Sequence, residues 1–144
     1  MSLLKLSIII PFYNSASYIG RCLDTVYNQD IPEDLYEVIC IDDCSPDHTK
    51  DIVHEYQMCH SNLRMIEHAV NKMQGETRNT GIRNAQGEYI WFVDPDDFIK
   101  ENCLKAIVDM LENDNLDVLN FDFFDFYDSN KILPNSISKE TELI

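Results

Sequence analysis

Three carboxylates follow one apolar segment within a few residues of each other. The apolar residues 89–93 are followed by Asp94, Asp96 and Asp97. Like charges crowded at the end of a strand repel each other, so the cluster predicts a positive partner, either a divalent metal ion or a cationic side chain. The alternative is helix capping, in which Asp97 accepts hydrogen bonds from the backbone amides of the next helix. Capping accounts for one carboxylate, and the cluster therefore favours a metal site.

A second acidic pair, Asp42 and Asp43, ends another apolar segment and precedes Cys44 and Ser45. One interpretation is turn and capping chemistry, with Ser45 as the cap of the next helix. The other is a carboxylate that accepts hydrogen bonds from the N–H or hydroxyl groups of a ligand. The motif alone does not separate them, but a second acidic cluster at the same edge of a sheet favours the ligand.

Two further side chains, Tyr13 and Arg78, are of types that contact nucleotides. Tyr13 lies in a loop behind a proline, where it either stacks on a planar base or packs under the first helix. Arg78 is predicted in the first turn of a helix over residues 77–85, where its charge opposes the helix dipole. An anion such as a diphosphate explains that position, and an ion pair with Asp43 or Asp94 is the alternative.

The chain has no glycine-rich phosphate loop. It contains four glycines and neither a Gly-x-Gly-x-x-Gly nor a P-loop motif. Phosphate binding is therefore left to a metal ion and Arg78. Gly81 is predicted to allow close packing of its helix, and Gly87 to stop that helix.

The hydrophobic pattern predicts the scaffold that must position these residues. Apolar runs typical of buried strands alternate with segments of helical spacing. The predicted strands cover residues 6–10, 38–41, 63–66, 88–93 and 116–127. Ser45-Pro46-Asp47 predicts the start of the second helix, which runs to about Gln57. Such alternation indicates an α/β fold, a doubly wound, mostly parallel sheet with helices on both faces, whose ligands bind beyond the carboxyl ends of the strands.

Length and charge limit the class of partner. The 144 residues suit one domain, assigned to residues 1–130, with residues 131–144 as an irregular tail. A net charge of −15 argues against nucleic acid, because the phosphates would be repelled. It permits a phosphate ligand that is bridged by a metal ion.

The cysteines indicate a reducing compartment. Their number is five, no Cys-x-x-Cys occurs, and no signal peptide or membrane span is evident, so we expect a cytoplasmic protein. Cys40, Cys44 and His48 are spaced like loose zinc ligands. Cys40 falls in an apolar strand, however, so buried thiols explain the cysteines better than zinc does.

Four segments, taken together and in this order, resemble the family-two glycosyltransferases, inverting nucleotide-sugar enzymes with the GT-A fold. They are Ser7-Ile-Ile-Ile-Pro-Phe-Tyr-Asn14, Val38-Ile-Cys-Ile-Asp-Asp-Cys-Ser45, Thr77-Arg-Asn-Thr-Gly81 and Gly87-Glu-Tyr-Ile-Trp-Phe-Val-Asp-Pro-Asp-Asp97. The resemblance covers most of residues 5–127 and implies the nucleotide-sugar-binding part of such an enzyme, truncated at its C-terminus. Cys44 and Glu76 depart from residues common in the family.

The resemblance implies a role for each candidate at the nucleotide. Pro11 and Tyr13 would line the nucleobase pocket, with Tyr13 near the base ring. Asp43 would accept a hydrogen bond from the base, most simply from the imide N–H of uracil. Arg78 would lie near the diphosphate or the sugar.

Asp94 and Asp96 match the family's Asp-x-Asp signature, which implies a metal cofactor. Asp96 would be the strongest metal ligand, and Asp94 would contact the ribose or the metal. Hard carboxylates suit Mn²⁺ or Mg²⁺, which would neutralise charge on the leaving nucleoside diphosphate as an acceptor hydroxyl attacks the sugar.

The resemblance also implies features outside this chain. The catalytic base is expected beyond residue 144, so the chain alone is expected to be inactive, and Asp122, Asp125 and Asp128 are not assigned that role. The expected partners are a nucleotide-sugar donor, UDP-linked by resemblance, and a saccharide or lipid-linked acceptor at the inner face of the cell membrane. An open sheet edge beside the fourth strand predicts self-association into a homo-oligomer.

Three other classes fit the sequence less well. A non-catalytic nucleotide- or metal-binding domain of the same fold would share the motifs. A phosphoacceptor receiver domain would need its acids after the first and third strands, whereas here they follow the second and fourth. A sugar nucleotidyltransferase would show a glycine-rich loop with a basic residue after the first strand, and residues 11–17 have none.

Overall fold

The computed structural model describes residues 4–122 and shows strands and helices in alternation. The elements are β1 (Leu6–Phe12), α1 (Ile19–Tyr27), β2 (Tyr36–Asp42), α2 (Thr49–Cys59), β3 (Leu63–Glu67), α3 (Met73–Asn84), β4 (Tyr89–Phe92) and α4 (Cys103–Asn113).

The four strands form one parallel sheet in the order β3-β2-β1-β4. In this register Ile9 of β1 lies beside Ile39 of β2 and Phe92 of β4. The chain adds strands on one side of β1 as far as β3 and then crosses to the other side for β4. The topological switch point therefore lies between β1 and β4, and the predicted doubly wound sheet is confirmed.

The centre of the sheet is buried on both faces, as expected for a parallel α/β fold. Every residue of β1 and of β2 is buried. On one face α3 packs against these two strands. Gly81 permits this contact, because a Cβ at that position would lie 2.9 Å from Cδ1 of Ile41 and closer still to Cγ2 of Ile9. The predicted close-packing role of Gly81 is confirmed.

The predicted start of α2 is wrong, because the helix begins at Thr49 and Ser45 is not its cap. Instead Ser45 Oγ accepts a hydrogen bond of 3.0 Å from the N–H of Asn14. Asp47 accepts one from the N–H of Ala16 and one from that of Thr49, each 3.1 Å long. Two of the three side chains that resembled a helix start therefore join the loop after β2 to the loop after β1, a contact that local sequence does not reveal.

The helix predicted over residues 77–85 begins earlier, at Met73. The turn before this helix is held by Asn71, whose Oδ1 accepts a hydrogen bond of 3.0 Å from the N–H of Met73, two residues on. Gly87 does not stop this helix, which ends at Asn84. Gly87 packs on β1 instead, since a Cβ there would lie 2.6 Å from the backbone nitrogen of Ser7.

The chain divides into two compact units, residues 1–109 and 110–144. The second is described for residues 110–122, which contain the end of α4 and no strand. The fifth strand predicted over 116–127 is therefore wrong for residues 116–122, its described part. The rest of that segment and the predicted boundary near residue 130 lie outside the described residues. Within 4–122, no helix has the length and apolarity needed to cross a membrane.

Candidate functional site

A cavity of about 510 Å³ opens in the first unit, at the carboxyl edge of the sheet. Its walls come from the segments that follow all four strands, as expected at a switch point. The lining residues are Pro11, Phe12, Tyr13, Ser15, Asp43, Asn71, Met73, Gln74, Thr77, Asp94, Pro95 and Asp96. Five of the six residues predicted from the sequence are therefore in one pocket, and the sixth, Arg78, contacts one of them.

The end of β1 supplies an aromatic wall. Tyr13 follows the strand directly, is 50% exposed and lines the cavity. The backbone around it is fixed by Ser15, whose hydroxyl donates a hydrogen bond of 3.0 Å to the carbonyl of Tyr13. An aromatic face that is half open to solvent and lines a pocket is suited to stacking on a planar ligand.

Asp43 presents a buried carboxylate to the same cavity. Its Oδ1 accepts hydrogen bonds from Nδ1 of His68, at 2.9 Å, and from the N–H of Lys72, at 2.8 Å. Burial alone would raise the pKa of Asp43, but the hydrogen bonds from His68, Lys72 and Thr77 outweigh it and lower that pKa. Asp43 is therefore held as a carboxylate, the form that accepts hydrogen bonds.

His68 was not identified from the sequence. It lies just beyond β3, and its side chain is only 5% exposed. Its Nε2 lies 2.9 Å from Oγ1 of Thr80, a hydroxyl that donates in turn to the carbonyl of Glu76 at 3.1 Å. The available signal was its position after a buried strand, at the edge where the other site residues fall.

Asp94, Asp96 and Asp97 form the acidic end of the site. A tight turn brings them together, with the N–H of Asp97 donating a 3.0 Å hydrogen bond to the carbonyl of Asp94. One carboxylate oxygen of each lies within 4.8 Å of the others. Burial and repulsion by Asp94 and Asp96 raise the pKa of Asp97, which shows the crowding of negative charge.

This cluster has the chemistry of a site for a hard divalent cation. In residues 4–122 it is the one group of three or more potential ligands close enough to share an ion. Its donors are carboxylate oxygens, which Mn²⁺ and Mg²⁺ prefer. The capping role considered for Asp97 is wrong, because α4 begins only at Cys103. Asp97 therefore joins Asp94 and Asp96, the two ligands predicted from the sequence.

Arg78 occupies a different position from the one predicted. It lies in the second turn of α3, because the helix begins at Met73. Its Nη2 lies 3.2 Å from Oδ1 of Asp94, and its guanidinium lies 5.6 Å from the ring centre of Phe92. The ion pair considered as an alternative is therefore present, with Asp94 and not with Asp43. Nε of Arg78 is buried and has no hydrogen-bond partner among the described residues, so the side chain retains donor capacity.

The start of α3 adds lining residues that the sequence did not single out, among them Asn71, Met73 and Gln74. They belong to a polar loop whose pattern predicted a helix start further along the chain. Their position depends on hydrogen bonds to Asp43 and within the loop, which are visible only in three dimensions.

Known proteins are similar to this chain in both sequence and fold. The model of the family "Glycosyl transferase family 2" matches residues 7–141. A poly(ribitol-phosphate) beta-glucosyltransferase from Bacillus spizizenii is 46% identical over 102 residues, which are 70% of this chain and 16% of that protein. The chain thus spans about a sixth of the length of this relative.

Two solved structures have the same arrangement of elements. TarS from Staphylococcus aureus in complex with UDP-GlcNAc superposes with a TM-score of 0.72 at 37% identity, covering 76% of this chain and 31% of that one. The mannosyltransferase PcManGT from Pyrobaculum calidifontis, in complex with GDP-Man and Mn²⁺, superposes with a TM-score of 0.69 at 30% identity, covering 76% and 32%. The sheet described above is therefore that of the GT-A fold.

Proposed function

The chain belongs to glycosyl transferase family 2, and we propose that its pocket binds the nucleoside diphosphate of a sugar donor, a UDP-sugar. The observation that carries this proposal is that an aromatic ring, a buried carboxylate and two members of the acidic cluster, Asp94 and Asp96, line one cavity of about 510 Å³. The ring and the buried carboxylate suit the base of such a donor, and the acidic cluster suits a diphosphate bridged by a metal ion.

The base is assigned to the end of the pocket formed by Pro11, Tyr13 and Asp43. Tyr13 offers a half-exposed ring on which a pyrimidine stacks. Asp43 is ionised and accepts hydrogen bonds, so it suits the imide N–H of uracil. His68, Lys72 and Thr77 donate hydrogen bonds to this carboxylate, which fixes it before the ligand arrives.

The diphosphate is assigned to the acidic end. We propose that Asp96, with Asp94 and Asp97, holds Mn²⁺ or Mg²⁺, and the bound TarS and PcManGT structures support a donor and an ion in such proteins. A bound ion supplies the positive charge that a diphosphate leaving group requires. Arg78 contributes a second positive charge beside Asp94.

The reaction we propose is transfer of the sugar to an acceptor hydroxyl with inversion at the anomeric carbon. Residues 4–122 contribute binding and orientation of the donor, and we assign no catalytic base among them. We propose that the acceptor is a hydroxyl of a polyol-phosphate polymer, because the similar glucosyltransferase is named for poly(ribitol-phosphate).

Calorimetric titration of UDP, first with Mn²⁺ and then with EDTA, tests the donor site. We expect binding that requires the metal and that Asp96→Asn abolishes. Asp34→Asn is the matched control, because Asp34 is an exposed carboxylate that precedes β2, at the opposite end of the strand from the pocket. UDP binding that is equal in EDTA, or unchanged in the Asp96 variant, would contradict the metal assignment.

A further inference from the structure

We infer that Met73 is a base-binding residue of the pocket, whose thioether side chain forms an apolar contact for the planar base in addition to Pro11 and Tyr13. The inference rests on the proposed donor site and deepens it. Tyr13 reaches the cavity from the loop after β1, and Met73 reaches it from the first residue of α3.

The exposure of Met73 is the first argument. Its side chain is 73% exposed, although methionine is a large apolar residue that usually packs in a core. Met73 is one of the residues that line the cavity, with the polar residues Asn71 and Gln74. Most of this apolar side chain is not covered by the described residues, and the face of a bound ligand would remove it from water.

The backbone of Met73 is the second argument. Its φ angle is +69°, in the left-handed region that favours glycine and is unfavourable for a residue with a side chain. Such a conformation persists where the surrounding structure imposes it, and it is concentrated at binding sites. Glycine would adopt this conformation without strain. The presence of methionine is therefore explained by a contact that its side chain makes.

The hydrogen bonds around Met73 are the third argument. The N–H of Met73 donates to Oδ1 of Asn71 at 3.0 Å, and the N–H of Lys72 donates to Oδ1 of Asp43 at 2.8 Å. The carboxylate assigned to the edge of the base therefore also anchors the segment that carries Met73. One network places both the polar and the apolar contact.

The chemistry of methionine suits a planar π-system. Its sulfur is polarizable and packs favourably on aromatic faces, and its unbranched chain adapts to the shape of the ligand. Neither property helps to bind a diphosphate, so the effect of Met73 is specific to the base.

Calorimetric titration of UDP and of inorganic diphosphate, both with Mn²⁺, tests the inference. Met73→Gly is expected to weaken UDP binding roughly two- to tenfold and to leave diphosphate binding unchanged. Because glycine relieves the backbone strain, its melting temperature should not fall. Met73→Leu keeps an apolar contact and should lose less affinity. Met58→Ala, at an 82% exposed methionine of α2, should have no effect on binding.

Three results would overturn the inference. If Met73→Gly binds UDP as tightly as the unchanged protein does, the Met73 side chain does not contact the base. Equal losses for UDP and diphosphate would show that the loop, and not the base contact, is affected. A Tyr13→Ala variant distinguishes the role of Met73 from the proposed donor site as a whole. If Tyr13→Ala weakens UDP binding and Met73→Gly does not, only the role of Met73 fails. If the unchanged protein binds no UDP, the proposed donor site fails and the role of Met73 fails with it.

Discussion

Nδ1 of His68 lies 2.9 Å from Oδ1 of Asp43, and both side chains are buried at the carboxyl edge of the sheet. The other ring nitrogen lies 2.9 Å from the hydroxyl of Thr80. The imidazole is thereby held at both ends, and it directs the Asp43 carboxylate. We therefore propose that His68 positions the Asp43 carboxylate in the pocket.

Replacing His68 tests this relationship. His68→Leu removes the donor to Asp43, and we expect UDP affinity to fall about tenfold, the effect of losing a hydrogen bond to a charged group. His68→Asn retains an N–H donor close to the position of Nδ1 and should recover part of the affinity. Calorimetry measures both. Equal losses in the two variants, with equal losses of thermal stability, would indicate a purely structural role for His68.

Glu37 should give the fold an acid-sensitive component. Its buried carboxylate accepts hydrogen bonds from the Ser7 hydroxyl and the N–H of Gln86, each 2.6 Å long, and pairs with Arg64 at 2.8 Å. Burial raises the pKa of Glu37, but these hydrogen bonds and the Arg64 charge outweigh it and lower that pKa. The stabilisation is therefore present above the ordinary pKa of glutamate and is lost as pH falls through the lowered one.

Glu37→Gln is expected to lower the free energy of unfolding by about 1.5–3 kcal/mol at neutral pH, since it removes the charged acceptor of these hydrogen bonds, although Arg64 keeps its bond to the carbonyl of Asn84. It should also flatten the decline in stability on the acid side. Urea unfolding at several pH values measures both effects. Glu88→Gln, which breaks an exposed ion pair with Lys5, is the control and should cost under about 1 kcal/mol. If the two variants lost similar amounts of unfolding free energy, burial of the Glu37 carboxylate would not strengthen its interactions.

Two glycines of α3 should respond in opposite directions to the same substitution. Gly81→Ala places a Cβ against Ile9 and Ile41 of the sheet, and we expect a loss of about 1–3 kcal/mol in unfolding free energy. A Cβ at Gly75 meets nothing within 4 Å, so Gly75→Ala should gain about 0.5–1 kcal/mol from helix propensity. Denaturant unfolding compares them directly. An equal effect in both variants would show that α3 does not pack as described.

Arg78 and a metal ion should compete for Asp94. Nη2 of Arg78 lies 3.2 Å from Oδ1 of Asp94, one of the three proposed ligands. Arg78→Met removes that charge, so we expect Mn²⁺ to bind about two- to fivefold more tightly in the absence of nucleotide. UDP should bind more weakly, since a positive charge near the diphosphate is lost.

Arg83→Met is the matched control for Arg78, because Arg83 lies on the same helix and pairs with Glu76, outside the acidic cluster. Calorimetric titration of Mn²⁺ into both variants makes the comparison. Manganese affinity that is unchanged by Arg78→Met would show that the ion pair does not restrict the cluster.

The types of the site residues and the edge on which they lie follow from the sequence. Apolar runs alternating with helical periods leave few arrangements other than a parallel sheet, because strands buried on both faces need helices on each side. Once the sheet is parallel, everything that follows a strand meets at one edge. Tyr13, Asp43, Asp94 and Asp96 were placed together on that argument, and all four line one cavity.

The tertiary structure decided which partner each polar side chain has. Ser45 looked like a helix cap but accepts from Asn14 of another loop, and Arg78 pairs with Asp94 where Asp43 was equally open. His68 follows a buried strand and Met73 lies in a polar loop, but neither position indicates which groups the side chain contacts. Hydrogen-bond partners distant in sequence compete with local capping and charge preferences worth about 1 kcal/mol each, and packing determines which of them prevails. The sequence by itself therefore determined the scaffold and the chemistry available at its edge, whereas the tertiary structure alone decided how those groups are positioned.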